Sequence, residues 1–411
     1  LFTRCRREVF SCVFCMKIPR QACATVGAFR NSLDIQHERS YDERGEESGF
    51  RKEGKEEVLH MDVGKKTGGK SITIYDIAKE AGVSPATVSR VLTNSARVRP
   101  EKKQKIQELI EKYNFTPNAM ARGLSDTRSR VIGIIAADVR NPFYSEVFVA
   151  CELAARRLGY TVLLCNSLGE AGLERQQLEK LQEQRVDAVI QMGGRVDDLV
   201  SNLEYVELVN AMPERIPMVI NGKLDGTQCF QVQIDARKTM DLLMEHLIGL
   251  GHREIALVGG RADVLSTFEK IQRYKQLLKQ NQIPFRPELV QEAGHYNDAG
   301  AYAEMNRMLD AGIVPTAVIA INDYSAAGIA RSLTEHGYRI PEDISLVSYD
   351  NTYIAEMLIP KLTSIDYDYG NLGRKLVETA IGALEGKEIP KLQMLEPTLV
   401  VRESSGPARA L

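Results

Sequence analysis

The chain has 411 residues, 44% of them apolar, which is more than one hydrophobic core usually organises, so at least two folded units are expected. Its charge is close to balance, with 53 Lys and Arg against 55 Asp and Glu. No apolar run is long enough to span a membrane, and the start shows no secretory signal pattern, so we expect neither a membrane-spanning nor an exported protein and favour a cytoplasmic location.

The first segment along the chain, residues 1–70, has no sustained hydrophobic period and ends in a charged, glycine-rich run. Such a run buries too little apolar surface to offset its ordering entropy, so residues 1–70 are predicted to be a disordered extension. Because Met61 stands just before the first patterned segment, an alternative is that residues 1–60 are an artefact of start-site choice. Cys12 and Cys15 have the spacing of half a zinc site, but no second pair follows, so we expect no metal and free, reduced thiols.

Positive charge is concentrated in the next segment. Residues 71–130 contain eleven Lys or Arg and six Asp or Glu, a net charge of +5, whereas residues 131–411 contain 28 and 38, a net charge of −10. Release of counterions from a polyanion requires local positive charge, so this asymmetry favours a nucleic-acid contact within residues 71–130. A basic surface that is merely solvated is the alternative on charge alone.

Two short capped helices joined by a glycine turn are predicted at the start of this basic segment, followed by a third helix. Thr73 and Asp76 have the spacing of a capping box for the first helix, and Gly82 ends it. Ser84 caps the second helix, with Pro85 at its first position. Two helices at this spacing predict a helix-turn-helix, whose second helix enters the major groove of DNA.

The outward positions of the second helix suit contact with DNA. They are Pro85, Ala86, Thr87, Ser89 and Arg90. Short hydroxyl and methyl groups approach base edges closely, and the guanidinium of Arg90 can reach guanine or phosphate. The alternative is a generic helical hairpin with a polar face.

After Thr127, apolar runs of strand length alternate with amphipathic helices. The runs are continuously apolar, which indicates strands buried on both faces, hence α/β architecture with parallel sheets covered by helices. Seven such strands are predicted at Val131–Ala136, Thr161–Cys165, Ala188–Met192, Met218–Ile220, Ile255–Val258, Ala317–Ile321 and Ser345–Ser348. So many units predict two similar lobes, with a ligand in the cleft outside the carboxyl ends of the strands.

Several motifs together resemble the LacI/GalR family of bacterial repressors. They include Tyr75-Asp76-Ile77-Ala78, Val88-Ser89-Arg90-Val91-Leu92 and Tyr113-Asn114-Phe115-Thr116-Pro117, and the similarity runs from about Ser71 to Glu403. The resemblance implies a small all-α helix-turn-helix headpiece followed by a two-lobed domain of the periplasmic-binding-protein type I kind. The implied bounds are 71–116 for the headpiece, 117–129 for a hinge and 130–405 for the effector-binding and dimerisation domain. Lobe 1 would span about 130–233 and 367–394, and lobe 2 about 234–366 and 395–405.

The family's hinge becomes helical on operator DNA, and its leucine wedges into the minor groove. Leu124 holds the matching position in this chain, although a linker leucine packed on the body is the alternative. An apolar wedge that unstacks a flexible base step bends the duplex and lets two half-sites be gripped together. The full set of predicted DNA-contacting residues is Thr73, Tyr75, Pro85, Ala86, Thr87, Ser89, Arg90, Arg97, Asn118, Ala121, Arg122 and Leu124.

The resemblance also implies the residues that contact a small polar, sugar-like effector. They are Phe143, Tyr144, Asn221, Lys270, Tyr296, Asn322, Asp323, Asp350 and Tyr369. By this match Asp350 accepts hydrogen bonds from the effector, and aromatic rings stack on it. Lys270 stands where the family usually has an arginine, and a lysine cannot reproduce a bidentate grip, so the effector is expected to differ or to bind without that contact.

The expected protein is a homodimer, or a dimer of dimers, that binds double-stranded operator DNA under control of an effector and uses no cofactor. An exported solute-binding protein would share the body but would need a signal peptide and no helix-turn-helix. An enzyme would need a catalytic constellation, and the sequence has no phosphate-binding loop, zinc-spaced His and Cys cluster or nucleophile elbow. We therefore expect a transcription regulator that is not an enzyme.

Overall fold

The computed structural model of the chain describes residues 72–93, 98–115 and 128–409. The predicted extension over residues 1–70 lies outside the described residues, as do residues 117–127 of the predicted hinge. Arg97, Asn118, Ala121, Arg122 and Leu124 also lie outside them.

Three helices form the headpiece: α1 (Ile74–Ala81), α2 (Pro85–Thr93) and α3 (Pro100–Lys112). They pack around a small apolar core that includes Ile77, Val88 and Ile106. The predicted capping box is confirmed, because the Asp76 carboxylate accepts a hydrogen bond from the Thr73 N–H at 2.8 Å and the Thr73 hydroxyl accepts one from the Asp76 N–H at 3.4 Å. Gly82 ends α1 with φ of 70°, the left-handed conformation that the turn requires.

The body follows in chain order. It begins with β1 (Val131–Ala136), α4 (Pro142–Arg157), β2 (Thr161–Asn166), α5 (Ala171–Glu183), β3 (Ala188–Met192), α6 (Leu203–Asn210), β4 (Met218–Asn221) and β5 (Phe230–Ile234). It continues with α7 (Ala236–Gly249), β6 (Ile255–Val258), α8 (Leu265–Gln280), β7 (Val290–Gln291), α9 (Asp298–Asp310), β8 (Ala317–Ala320), α10 (Asp323–Glu335), β9 (Ser345–Asp350), α11 (Tyr353–Met357) and β10 (Thr363–Asp366). It closes with α12 (Tyr369–Leu384), β11 (Leu392–Leu395) and β12 (Thr398–Val400).

Two six-stranded sheets organise the body into two lobes. The first has the order β11-β5-β4-β3-β1-β2 and is parallel throughout, and the second has the order β12-β10-β9-β8-β6-β7, in which β12 alone runs antiparallel to its neighbour. The central strands β3, β6 and β8 are buried along their whole length. Full burial on both faces explains why these strands read as continuous apolar runs.

The chain passes between the lobes three times, after β5, after β10 and after β11. Each lobe has an apolar core on both faces of its sheet. The first lobe's cores centre on Ile190 and Ile220, and the second lobe's on Leu257 and Val258. Phe143 and Tyr369 pack against cores of both lobes, so these two rings lie where the lobes meet.

Candidate functional site

The headpiece presents a polar surface supported by an internal ion pair. Ala86 and Arg90 on α2 are exposed, and Pro85, Thr87 and Ser89 are half-buried. The Ser84 hydroxyl caps α2, accepting from the Thr87 N–H at 3.3 Å. Thr73 and Tyr75 are exposed at the start of α1.

Glu80 ties α1 to the end of α3. Its carboxylate accepts hydrogen bonds from Lys112 Nζ at 2.8 Å and from the Tyr113 hydroxyl at 2.7 Å. These two donors lower the pKa of Glu80, and the same bond raises the pKa of Lys112 to about 12. The contact links α1 to α3, and both of these helices pack against α2 through the apolar core.

A cavity of about 700 Å³ lies between the two lobes. Its wall includes residues that follow the carboxyl ends of β1, β3, β4 and β8, the last residue of β9, and the first turns of α8. This is the volume of a typical small-molecule site, at the strand ends where α/β folds place their ligands.

Among the charged groups of the cavity wall, the Lys270 ammonium interacts with the carboxylates of Asp350 and Asp197. Lys270 Nζ lies 4.1 Å from the centre of the Tyr349 ring, and the charges of Asp350 and Asp197 act on it. Burial lowers the pKa of Lys270, because desolvation outweighs the attraction of the two carboxylates. Burial and the nearby Asp323 charge raise the pKa of Asp350 to about 7, against the opposing effect of Lys270.

A third carboxylate, that of Glu174, lies under the turn that follows β3. It is buried and accepts from the Arg195 N–H at 3.0 Å. Burial raises its pKa to about 7. Gly194 has φ of 63°, and a Cβ at this position would come within 1.5 Å of the Glu174 carboxylate, so a larger residue would displace that carboxylate.

Aromatic side chains occupy the part of the cavity wall where the lobes meet. The ring of Phe143 meets those of Tyr144 and Tyr367 edge-on, with centroids 5.1 and 6.0 Å apart. Edge-on packing leaves ring faces and edges available for an apolar surface such as the face of a sugar ring.

Two parts of the chain match family profiles. Residues 73–118 match the profile of "Bacterial regulatory proteins, lacI family", and residues 244–405 match that of a "Periplasmic binding protein-like domain". The catabolite control protein A of Priestia megaterium is 32% identical over 312 residues, which cover 75% of this chain and 92% of that protein.

The chain belongs to the LacI family of bacterial regulatory proteins.

Solved structures agree with this membership. A lac repressor dimer bound to operator and the anti-inducer ONPF is 29% identical and matches with a TM-score of 0.74, covering 82% of this chain and all of that one. The transcriptional regulator CelR in complex with cellobiose is 25% identical, with a TM-score of 0.60, covering 81% of this chain and all of that one. The predicted family and the predicted fold class, a helical headpiece before a two-lobed α/β domain with parallel sheets, are confirmed. The LacI family is one of DNA-binding transcription regulators rather than of enzymes.

The structure brings most of the predicted effector residues of this LacI-family chain to one cavity. Those in its wall are Phe143, Tyr144, Asn221, Lys270, Tyr296, Asn322 and Asp350. Some of these side chains already form hydrogen bonds within the protein. The Asn322 amide caps α10 through the Ser325 N–H and donates to the Tyr296 carbonyl, and Asn221 donates to the Val232 carbonyl, so both amides already have protein partners.

Asp323 and Tyr369 do not lie in the cavity wall. Asp323 is fully buried, and its carboxylate accepts hydrogen bonds from Ser348, Ser364 and Thr352. The ring of Tyr369 packs on Phe143, with centroids 6.0 Å apart. Both residues therefore lie behind the wall, next to residues that line the cavity.

Three further residues line the cavity although they were not among the predicted effector contacts: Asp197, Glu174 and Tyr367. A signal was present for Asp197, because the polar run Gly193–Asp198 directly follows the predicted strand β3 at its carboxyl end. Tyr367 lies two residues before the predicted Tyr369. No sequence pattern distinguishes Glu174 from other acidic residues near the start of an amphipathic helix.

Among residues 72–93, 98–115 and 128–409, no helix combines the length and the apolar character needed to cross a bilayer. Within the same described ranges, no group of three His, Cys, Asp or Glu side chains is placed to hold a metal ion.

Proposed function

We propose that this chain is a homodimeric repressor of transcription without catalytic activity, whose affinity for operator DNA is set by a sugar or sugar derivative bound between the lobes. The observation that carries the proposal is the presence, on one chain, of a capped helix-turn-helix and of a separate polar and aromatic cavity of about 700 Å³. In this proposal residues 71–116 read DNA, 117–129 form the hinge and 130–405 bind the effector and the second copy. A bacterial regulator acts in the compartment that holds the DNA, so the proposal includes a cytoplasmic location.

The proposed DNA contacts come from the start of α1, from α2 and from the hinge. In the headpiece they are Thr73, Tyr75, Pro85, Ala86, Thr87, Ser89, Arg90 and Arg97, and in the hinge Asn118, Ala121, Arg122 and Leu124. Exposure of Ala86 and Arg90 supports this assignment, since a guanidinium on a recognition helix can bind guanine or phosphate. Leu124 would supply the wedge in the minor groove.

The sugar proposal rests on the chemistry of the cavity wall. Aromatic rings face the same space as Lys270 and Asp350, so one face of a ligand can stack while its hydroxyls donate to a carboxylate and accept from an ammonium. The complex of CelR with cellobiose is a precedent in a similar protein. The ammonium of Lys270 is a point charge and lacks the paired donors of an arginine guanidinium. We therefore expect it to bind a single oxygen of the ligand.

Dimer formation is supported by an apolar stripe on the outer face of α4. Val149 and Leu153 are about half exposed, one turn apart on that helix. Leu163 on the edge strand β2 is also exposed. The similar lac repressor structure is a dimer on operator DNA, and a two-fold protein suits a site with two related half-sites. A dimer of dimers would use a further contact.

Effector binding can change operator affinity only by favouring one arrangement of the lobes over another. We propose that it changes the spacing of the two hinges in the dimer and thereby the affinity for operator DNA. The difference in effector affinity between the two arrangements sets the size of the response.

Selection of duplexes from a random pool by the purified full-length chain tests the proposal. The selection is repeated with a panel of neutral sugars, amino sugars and sugar phosphates, and with Arg90→Ala as the matched variant. The expected result is a two-fold-related consensus that Arg90→Ala enriches less strongly and whose affinity a neutral sugar changes. If the unmodified chain enriches no sequence, the proposed role in transcription regulation is wrong. If it enriches a consensus whose binding no compound changes, the proposed sugar effector is wrong.

A further inference from the structure

The two lobes are joined by a non-covalent contact as well as by the three chain crossings. The contact lies between Asp197–Leu199, after β3 in the first lobe, and Asp263–Ser266, at the start of α8 in the second. The Leu265 N–H donates to the Asp197 carbonyl at 2.8 Å, and the Leu199 N–H donates to the Asp263 carbonyl at 3.1 Å. Asp198 and Val264 are the paired residues of this isolated antiparallel bridge. We call the two segments the latch.

A side chain strengthens the latch from within the cavity. The Asp197 carboxylate accepts a hydrogen bond from the Ser266 N–H at 3.0 Å and another from the Ser266 hydroxyl at 2.7 Å. Hydrogen bonds to a charged acceptor are stronger than neutral ones, and this pair crosses from one lobe to the other. The backbone bonds hold the segments in register, and the carboxylate adds the interaction that a single substitution can remove.

Both partners also face the space between the lobes. Asp197 and Ser266 belong to the cavity wall, and the charge of Asp197 acts on Lys270. A molecule that fills the cavity therefore meets the same carboxylate that binds the opposite lobe. Asp138, another acidic residue of the wall, pairs instead with Arg140 of its own lobe at 2.7 Å.

We propose that Asp197 is a positioning residue of the effector site, which holds the lobes closed through Ser266 and so links occupancy of the cavity to the arrangement of the lobes. The link to an effector rests on the proposed function, whereas the latch itself does not. A carboxylate has room for more than two donors, so an occupant can add to the Ser266 bonds or draw the carboxylate away from them. Either change alters how firmly the lobes are held.

Cross-linking of the latch tests the inference without DNA or any metabolite. Paired residues of an antiparallel bridge have Cα atoms about 4.5–5.5 Å apart, within the range of about 4.4–6.8 Å that a disulfide spans. The full-length double variant Asp198→Cys, Val264→Cys is oxidised with diamide, and the bond between the two positions is followed over time by peptide mass spectrometry. Each single cysteine variant serves as a control for disulfides with other cysteines.

The same pair of cysteines then reports on Asp197. Adding Asp197→Ala should slow formation of the bond by about threefold to tenfold, because two charge-assisted hydrogen bonds no longer hold the lobes closed. Ser266→Ala should slow it less, since the Ser266 N–H bond remains. Asp138→Ala, the matched loss of a cavity carboxylate bound within its own lobe, should leave the rate unchanged.

Absence of the cross-link in the double variant overturns the latch. An equal rate with Asp197→Ala, or an equal slowing by Asp138→Ala, overturns the role of Asp197. Circular dichroism of each variant identifies any that fails to fold. If Asp197→Ala does not fold, the rate of cross-linking with Ser266→Ala, which removes a single hydroxyl, tests the role of Asp197 instead. None of these readouts depends on whether the chain binds an operator.

Discussion

Asp323 Oδ2 accepts a hydrogen bond from the backbone N–H of Thr352 at 2.6 Å, joining the start of α10 to the turn after β9. The Thr352 hydroxyl donates to the same oxygen at 3.0 Å. The turn contains Asp350 and Asn351, whose φ angles are 99° and 48°. Left-handed backbone is costly for residues other than glycine, so the surrounding bonds must hold it. Asp323 thus supports the conformation that directs Asp350 towards the cavity.

Replacing Asp323 with Ala should lower the free energy of unfolding by about 2–5 kcal/mol, because several buried donors lose their acceptor. Asp323→Asn should cost less, since one acceptor oxygen remains. Urea denaturation of the purified variants measures both values. Equal losses for Ala and Asn would show that the hydrogen bonds to the carboxylate are not what holds this turn.

Asp350→Asn should change how stability depends on pH. Burial raises the pKa of Asp350 to about 7, so the folded state keeps a proton that the unfolded chain loses above its ordinary pKa of about 4. The free energy of unfolding should therefore fall as pH rises from about 4 to about 7, and Asn should remove part of this fall.

The free energy of unfolding of Asp350→Asn, minus that of the unmodified chain, should be higher at pH 8 than at pH 5 by about 1–3 kcal/mol. This range allows for the loss of attraction to Lys270. Denaturant titrations at the two pH values measure it, with exposed Glu214→Gln as the control. The pKa values of Glu174 and Asp197 are also raised, to about 7 and about 6. The free energy of unfolding of the variant should therefore still fall somewhat as pH rises. A pH dependence identical to that of the unmodified chain would contradict the burial argument.

Gly328→Ala should destabilise the second lobe by about 1–3 kcal/mol, the usual cost of overpacking. Its Cβ would come within 2.0 Å of the Asp298 carbonyl oxygen, so the backbones of α9 and α10 would have to move apart. Gly172→Ala on α5 is the matched control, since a Cβ there meets nothing within 4 Å. The control should gain up to about 1 kcal/mol from helix propensity, and thermal unfolding of both variants gives the comparison.

Leu153→Glu should weaken the proposed dimer. It places a charge on the exposed apolar stripe of α4, where a second copy would have to bury it. Sedimentation velocity should show a larger monomer fraction, and operator affinity should fall with it. Exposed Glu152→Gln, the neighbouring position, is a control for altered charge. A sedimentation profile unchanged by Leu153→Glu would place the interface elsewhere.

The sequence predicted the elements whose signals are local. Thr73, Gly82 and Ser84 mark the helix-turn-helix through cap and turn chemistry, which depends only on neighbouring residues. The seven named strands are largely apolar runs, and all occur within a residue or two of their predicted bounds.

Five further strands have no clear sequence signal: β5, β7, β10, β11 and β12. They are short or only partly buried, and β11, for example, is mostly exposed or half-exposed. Their pairing is decided by the chain returning to a sheet from far along the sequence, which no local period records. Asp350 and Asp323 are another example, because both are acidic residues at the carboxyl end of a strand. Their local sequence does not show that Asp350 alone of the two lies in the cavity wall, which depends on tertiary packing.

The most direct test of the central claim is the specificity of DNA binding. The purified full-length chain is titrated by fluorescence anisotropy, at physiological salt, against its selected duplex and against a shuffled duplex of the same composition. The account predicts an affinity ratio of at least about 10³, reduced about fivefold to a hundredfold by Arg90→Ala but not by Arg331→Ala on the body. Equal affinities for the two duplexes would contradict it.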